Sequence, residues 1–206
     1  MKSRPIPIVA VLLAAAALAG CTPRKGQPNP PLAGGLVLSP IQQSYWDRLQ
    51  SLCGRAFAGR LTERNASDSV FARSTVIMHV RACSPSEVHI PLHVGDDRSR
   101  TWVITPVHGG LRLKHDHRHA DGTEDRITQY GGDTRRAGTT SRQEFYADSL
   151  TATLIPAART NVWTIEIEPA SSFAYALRRE GTDRRFRVEF DLTRPVPSPP
   201  PPWGSK

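Results

Sequence analysis

Histidine is concentrated in one part of this chain, with a spacing that could bring several ring nitrogens together. All seven histidines fall between residues 79 and 119 of a 206-residue sequence. His115, His117 and His119 alternate with other residues, so on a β-strand their side chains point to one face. A tight turn after them would bring Glu124 opposite His119. Imidazole nitrogens and a carboxylate are ligands that suit zinc, copper, manganese or iron.

This segment also resembles a known metal motif. His117-Arg118-His119, followed by Glu124 and Gly131, is similar to the first metal-binding motif of the cupin family. The resemblance implies a divalent metal on this strand and a metal-dependent enzyme as one alternative. Cupins take a further histidine from a later motif, whereas no histidine follows residue 119 here. The other alternative is a polar strand whose imidazoles hydrogen-bond with nearby carboxylates or face solvent.

Other catalytic signatures are absent from the sequence. The chain contains no G-x-S-x-G nucleophile motif and no Gly-rich loop that opens a helix and cradles a phosphate. The paired carboxylates Asp96-Asp97 and the acidic group around Asp121 fall where turns are expected, and Asp is common in turns for local reasons. We therefore predict no catalytic residues and no required cofactor, apart from the metal that the histidines could bind.

The amino terminus has the three parts of a secretory signal peptide over residues 1–20. Lys2 and Arg4 precede an apolar run from Ile8 to Leu18, and small residues follow. The run ends in Leu18-Ala19-Gly20-Cys21, which resembles the lipobox of bacterial lipoproteins. That resemblance implies cleavage before Cys21, a diacylglycerol on its sulfur and a further acyl chain, such as palmitate, on its amine.

Several acyl chains hold a protein at a membrane durably, so the resemblance implies an anchored chain that does not span the bilayer. Thr22 follows the cysteine, whereas lipoproteins retained in the inner membrane commonly have Asp there. We therefore expect the protein to be anchored through lipid in the outer membrane and to face the periplasm. No later segment approaches the roughly 20 apolar residues of a spanning helix, which excludes a multi-span transporter or channel.

The charge balance is basic, with 27 Lys and Arg against 19 Asp and Glu. In an exported protein the available anionic partners are lipid head groups, lipopolysaccharide or acidic glycans, so we expect no nucleic-acid partner. A basic surface that contacts only solvent would give the same balance of basic and acidic residues. Charge alone therefore does not identify a partner.

Two cysteines remain once Cys21 carries lipid. Cys53 and Cys83 show no C-x-x-C spacing, and an exported pair in an oxidising compartment typically forms a structural disulfide. We predict that these two are joined.

The remaining pattern divides the chain into four parts. Residues 21–38 are rich in Pro and Gly and are predicted to be a lipidated tether. Residues 39–193 form the folded domain, and residues 194–206 are a Pro-rich tail for which we predict a solvated conformation outside any sheet. The domain begins with an amphipathic helix, because Ser39 can cap, Pro40 suits the first turn and apolar residues then recur at helical spacing.

Period-two alternation dominates the rest of the domain. It predicts three strands that start near Trp163, Phe173 and Phe186, joined as an antiparallel meander, and shorter strands before them, including those over residues 88–94 and 125–130. About ten strands with one leading helix favour a mainly β fold, an antiparallel barrel or sandwich, lipocalin-like in style. Residues 101–203 also resemble a group of uncharacterised secreted proteins of Gram-negative bacteria, which implies export and a single domain.

These observations together favour a lipid-anchored β-domain that binds a small ligand or an envelope component without catalysis. Two alternatives from other classes stay open. One is an envelope scaffold or inhibitor that contacts a protein or an acidic glycan through the basic surface. The other is the metal-dependent enzyme with His115, His117, His119 and Glu124 as ligands.

Overall fold

The computed structural model describes residues 36–205. The predicted signal peptide, Cys21 and most of the predicted tether lie outside the described residues. The first element is helix α1, Pro40–Gln50, which confirms the predicted amphipathic helix. The Ser39 hydroxyl accepts a hydrogen bond from the Gln42 amide at 3.3 Å, as expected for a residue that caps a helix.

Helix α1 buries one face against the strands of the domain. Tyr45, Trp46 and Leu49 are at most 1% exposed. Ile41, which the periodicity also placed on this face, is 40% exposed, and Gln42 is buried instead. The Gln42 side-chain amide donates to the Thr134 hydroxyl at 3.3 Å, so this polar residue is satisfied where it is buried.

Strands make up most of the remaining described chain, and short helical segments lie between them. The strands are β1 Ala56–Glu63, β2 Val76–His79, β3 Ala82–Cys83, β4 Val88–Val94, β5 Asp97–Val107, β6 Gly110–His117, β7 Tyr130–Thr134, β8 Arg142–Ala147, β9 Asn161–Glu168, β10 Ser172–Arg179 and β11 Arg185–Val196. The short helices are α2 Ser69–Arg73 and α3 Ser149–Leu154, with 3₁₀ turns at Ala66–Asp68 and Pro156–Ala158.

Ten of these strands close an antiparallel barrel. Of the two predicted architectures, the barrel is therefore confirmed rather than the sandwich. Strands β4 to β11 pair in chain order, β11 pairs with β1, β1 with β2, and β2 with β4. Strand β3 continues the pairing along β4 beyond the end of β2. Closure leaves the ten strands without a free sheet edge and lets each strand bury one face in a shared interior.

Helix α1 lies at one end of this barrel. Strand β6 begins there, beside Gln42, and ends at His117 near the opposite end. The predicted disulfide is confirmed: Cys53 and Cys83 are bonded, with their Cα atoms 6.2 Å apart. This bond ties the chain after α1 to β3, and closing a loop of this length stabilises the fold by about 3 to 4 kcal/mol in the chain-entropy model.

The barrel interior next to α1 is filled by apolar side chains from many strands. The following residues are all at most 1% exposed: Phe57, Met78, Ile90, Ile104, Leu113, Ile165, Phe173, Val188 and Phe190. We call the α1 side of the barrel the closed end. The opposite side, where β5, β9 and β11 begin and β6 and β10 finish, is called the open end.

Two predictions of strand position are wrong. Residues 125–130 were predicted as a strand, but the strand lies later, at Tyr130–Thr134. The sheet was also expected to stop before the Pro-rich tail, yet β11 continues to Val196 and places Pro195 opposite Phe57. The pairing of β1 with β11 is irregular just beyond this point, and such irregular positions accommodate a residue that has no N–H.

The end of the tail lies on the barrel rather than in solvent. The Trp203 amide donates to the Arg98 carbonyl at 3.1 Å, and the Arg98 guanidinium donates to the Pro201 carbonyl at 3.1 Å. Arg81 donates to the Ser205 hydroxyl at 2.8 Å. The predicted solvated conformation is therefore wrong for residues 201–205.

Candidate functional site

The alternation of β6 turns two of the predicted histidines into the barrel. His115 and His117 are 2% and 9% exposed, respectively, and both lie at the open end. His119 comes two residues after the end of the strand and is exposed. The structure therefore brings His115 and His117 together inside the barrel but leaves His119 outside it.

The predicted register after β6 is wrong by one residue. We expected His119 opposite Glu124, but Glu124 pairs with Arg118. The Arg118 guanidinium donates to the Glu124 carboxylate at 3.1 Å, on the outer surface. Neighbouring residues of a strand face opposite sides, so this carboxylate lies away from the inward histidines. Within residues 36–205, no group of three or more His, Cys, Asp or Glu residues is arranged to hold a metal ion.

Hydrogen bonds fix the protonation of His115. Its Nδ1 lies 3.1 Å from the Tyr130 carbonyl oxygen, which can only accept, so Nδ1 carries the proton. Its Nε2 lies 2.8 Å from the Tyr175 hydroxyl oxygen and therefore accepts a hydrogen bond from that hydroxyl. Both ring nitrogens are thus engaged by the barrel.

Burial keeps these groups uncharged. It lowers the pKa of His115 to about 3 and that of His117 to about 4. Burial also raises the pKa of Tyr130 to about 12 and that of Tyr175 well above its ordinary value. At neutral pH the four side chains form an uncharged polar group in the floor of the open end.

A cavity of about 270 Å³ is bordered by three of these four side chains, those of His115, Tyr130 and Tyr175. Ligand pockets typically measure about 300 to 1,000 Å³, so this cavity is slightly smaller than the usual range and suits only a small molecule. It is partly open to solvent and is lined by strands and by the short helical segments at the open end. The lining residues are Asp68, Phe71, Leu92, Arg100, Trp102, His115, Ile127, Tyr130, Ile155, Ala158, Asn161, Trp163, Tyr175, Leu177, Arg179, Arg184 and Phe186.

Aromatic rings form the walls of this cavity. Trp102 stacks on Tyr175 with ring centroids 4.2 Å apart, and Tyr130 stacks on His115 at the same separation. Trp163 lies beside the second stack, 5.3 Å from the His115 ring and 5.9 Å from the Tyr130 ring. Rings held in stacks lose little freedom when they contact a flat apolar molecule, so the walls are preorganised for such a ligand.

Charged side chains surround the mouth. Three arginines and one aspartate line the cavity: Arg100, Arg179, Arg184 and Asp68. The Arg184 guanidinium donates to both carboxylate oxygens of Asp68, at 2.5 and 2.7 Å. The cavity therefore combines an aromatic interior with a net positive rim.

The histidines were predicted from their spacing, whereas the aromatic walls and the arginines were not predicted. A signal was present, because the alternation that places Tyr175 and Leu177 on one face of β10 continues to Arg179. The same rule on β5 puts Arg100 on the face of Trp102. Charged residues that follow an inward apolar series mark the end of a barrel where solvent or a ligand enters.

Comparisons with known proteins give no significant match between this chain and a protein-family model, a curated protein or a solved structure. Among residues 36–205, no helix has the length and apolar character needed to cross a membrane. We therefore infer the function from the cavity itself.

Proposed function

We propose that this protein binds a small, largely apolar ligand in the cavity at the open end of the barrel. The observation that carries the proposal is the aromatic chamber of about 270 Å³ with a partly open mouth. Tryptophan and tyrosine rings supply a large contact area at a low cost in conformational entropy, and they dominate the energetics of many binding sites. A core built only for stability would fill this space with side chains.

The chemistry of the histidines supports binding rather than catalysis. A general base must have a free nitrogen and a pKa near the working pH. In His115 both nitrogens are hydrogen-bonded, and burial lowers its pKa to about 3. His115 and Tyr175 thus serve as a fixed polar floor for the ligand.

The proposal includes a lipid anchor at Cys21, with the barrel held on the periplasmic side of the outer membrane. Its support is the Leu18-Ala19-Gly20-Cys21 motif after an apolar run. With Cys21→Ser, the protein should no longer incorporate labelled palmitate and should leave the membrane fraction. Palmitate on the variant would contradict the anchor.

Calorimetric titration with 2-naphthamide tests cavity binding. This uncharged, flat probe has the size and shape that the aromatic walls accommodate, and we expect saturable binding of one molecule per chain. Leu177→Trp replaces an aliphatic side chain that lines the cavity with a large indole ring, which should fill the cavity and abolish binding. Ala176→Trp is the matched control, because it introduces the same ring one residue earlier on the opposite face of β10.

Absence of binding to the wild-type protein would overturn the proposed function. Equal binding by the wild type and Leu177→Trp would also contradict it, since the probe would then occupy another place. Circular dichroism of both variants should match the wild type, which ensures that a loss of binding reflects a filled cavity.

A further inference from the structure

Arg179 is a charged residue on the inner side of a barrel wall. Strand β10 places Tyr175, Leu177 and Arg179 on the same face, and all three line the cavity. Its partner across the strand pair is Asn161, which is 5% exposed. The Arg179 Nε donates to the Asn161 side-chain oxygen at 2.8 Å, which holds the guanidinium at the mouth.

The three arginines at the mouth differ in how their charge is balanced. Arg184 forms a two-point ion pair with Asp68, and Arg100 forms an ion pair with Asp97. Arg179 has a neutral amide as its partner and forms no ion pair within residues 36–205. A half-buried guanidinium without a carboxylate is an open position for an anion.

The same arrangement disfavours a cationic ligand. Asp68 is the only carboxylate among the lining residues in the described part of the chain, and Arg184 occupies both of its oxygens. A ligand ammonium would therefore find no free acceptor of opposite charge and would lie near three guanidinium groups. The aromatic walls favour a flat body behind the charged group.

We propose that the ligand is a small aromatic carboxylate whose anionic group pairs with Arg179 and whose ring lies among Trp102, Trp163 and Tyr175. This inference rests on the proposed function and specifies its ligand class. The planar guanidinium offers its terminal nitrogens to two carboxylate oxygens at once, a geometry that a lysine cannot supply. The ligand carboxylate supplies the negatively charged partner that Arg179 lacks within residues 36–205.

Three probes with one ring system test the inference by calorimetric titration: 2-naphthoate, 2-naphthamide and (2-naphthylmethyl)ammonium. They share the ring and differ mainly in charge. For the wild type we expect 2-naphthoate to bind about tenfold or more tightly than 2-naphthamide, the factor that a charge-assisted hydrogen bond supplies. The ammonium probe should bind most weakly.

Arg179→Gln removes the charge while the side chain keeps an amide that can reach Asn161. We expect this variant to bind 2-naphthoate and 2-naphthamide with nearly equal affinity. The matched control is Arg178→Gln, the neighbour on the outer face, whose guanidinium pairs with Glu144 and Glu180. That control should keep the preference for the anion.

The outcomes separate the two proposals. If the wild type binds both probes equally, the anion inference is overturned and cavity binding stands. A tenfold preference that survives in Arg179→Gln also overturns the inference, because another group then recognises the charge. If no probe binds, the proposed function fails and the inference fails with it.

Discussion

Mild acid should destabilise this fold, because two histidines are buried uncharged inside the barrel. Burial lowers the pKa of His115 to about 3 and that of His117 to about 4, from an ordinary value of 6.5. Below pH 6.5 the unfolded chain binds protons at these positions while the folded chain does not. Their contribution to stability is therefore complete above pH 6.5 and is lost as the pH falls toward the folded-state pKa values.

The magnitude follows from these values. Between pH 7 and pH 5, each histidine lowers the free energy of unfolding by about 1.9 kcal/mol, and the two together by about 4 kcal/mol. Burial lowers the pKa of His79 and His93 as well, which adds to the effect. Carboxyl groups titrate mainly below about pH 5 and contribute little in this window. A loss of this size is a large share of the roughly 5 to 15 kcal/mol that stabilises a typical domain.

Urea unfolding at pH 7 and pH 5, followed by tryptophan fluorescence, measures this loss. His117→Gln should reduce the difference between the two pH values by about 2 kcal/mol, since one buried imidazole is removed. His119→Gln is the control, because His119 is exposed beyond β6, and its difference should equal that of the wild type. A wild-type difference below about 1 kcal/mol would refute the argument.

Three further predictions concern the frame around the site. Replacement of Cys53 and Cys83 by Ser should lower the free energy of unfolding by about 3 to 4 kcal/mol in urea titrations, and a loss below 1 kcal/mol would contradict the role of the bond. Gly131→Ala should cost about 3 kcal/mol or more, because Gly131 has φ +151° and a Cβ would overlap the carbonyl oxygen of Leu113; an unchanged melting temperature would count against this. Trp203→Pro removes the amide hydrogen that donates to the Arg98 carbonyl, so it should speed proteolytic release of the tail while barrel stability changes by less than about 1 kcal/mol, and unchanged cleavage would show that this hydrogen bond does not hold the tail.

Most of the fold was predicted from residues that alternate between the two faces of each strand. Strand β4 was expected over Val88–Val94 and has those bounds, because a large aliphatic residue occupies every second position there. Strand β7 was missed, since its sequence includes Gly131 and Gly132, which have low strand propensity and no side chain to show a period. Strand β7 pairs with β6 and β8 in the closed barrel, and the sequence of β7 alone does not reveal these pairings.

The candidate site was only partly predictable for a related reason. Spacing within one strand identifies His115 and His117 as neighbours on a face, and both point inward. The stack of Trp102 on Tyr175 joins residues far apart in the chain, so it depends on barrel closure. The register at Glu124 depended on the geometry of one turn, where a shift of one residue reverses the face of a side chain.

The tail illustrates a different limit. Proline content indicates that a segment cannot form a regular ladder, but it does not exclude contact with a folded surface. Residues 201–205 reach the barrel through main-chain and arginine hydrogen bonds, which composition does not reveal.

The four tryptophans allow the most direct test of ligand binding in the cavity. Trp102 and Trp163 line the cavity, Trp46 lies in α1 at the closed end, and Trp203 lies in the tail on the outer surface. In ¹H–¹⁵N NMR spectra each indole N–H gives its own signal. On titration with 2-naphthoate we predict saturable shifts of the Trp102 and Trp163 signals while those of Trp46 and Trp203 stay in place. Shifts confined to Trp46 or Trp203, or no shift at all, would contradict the cavity as the binding site.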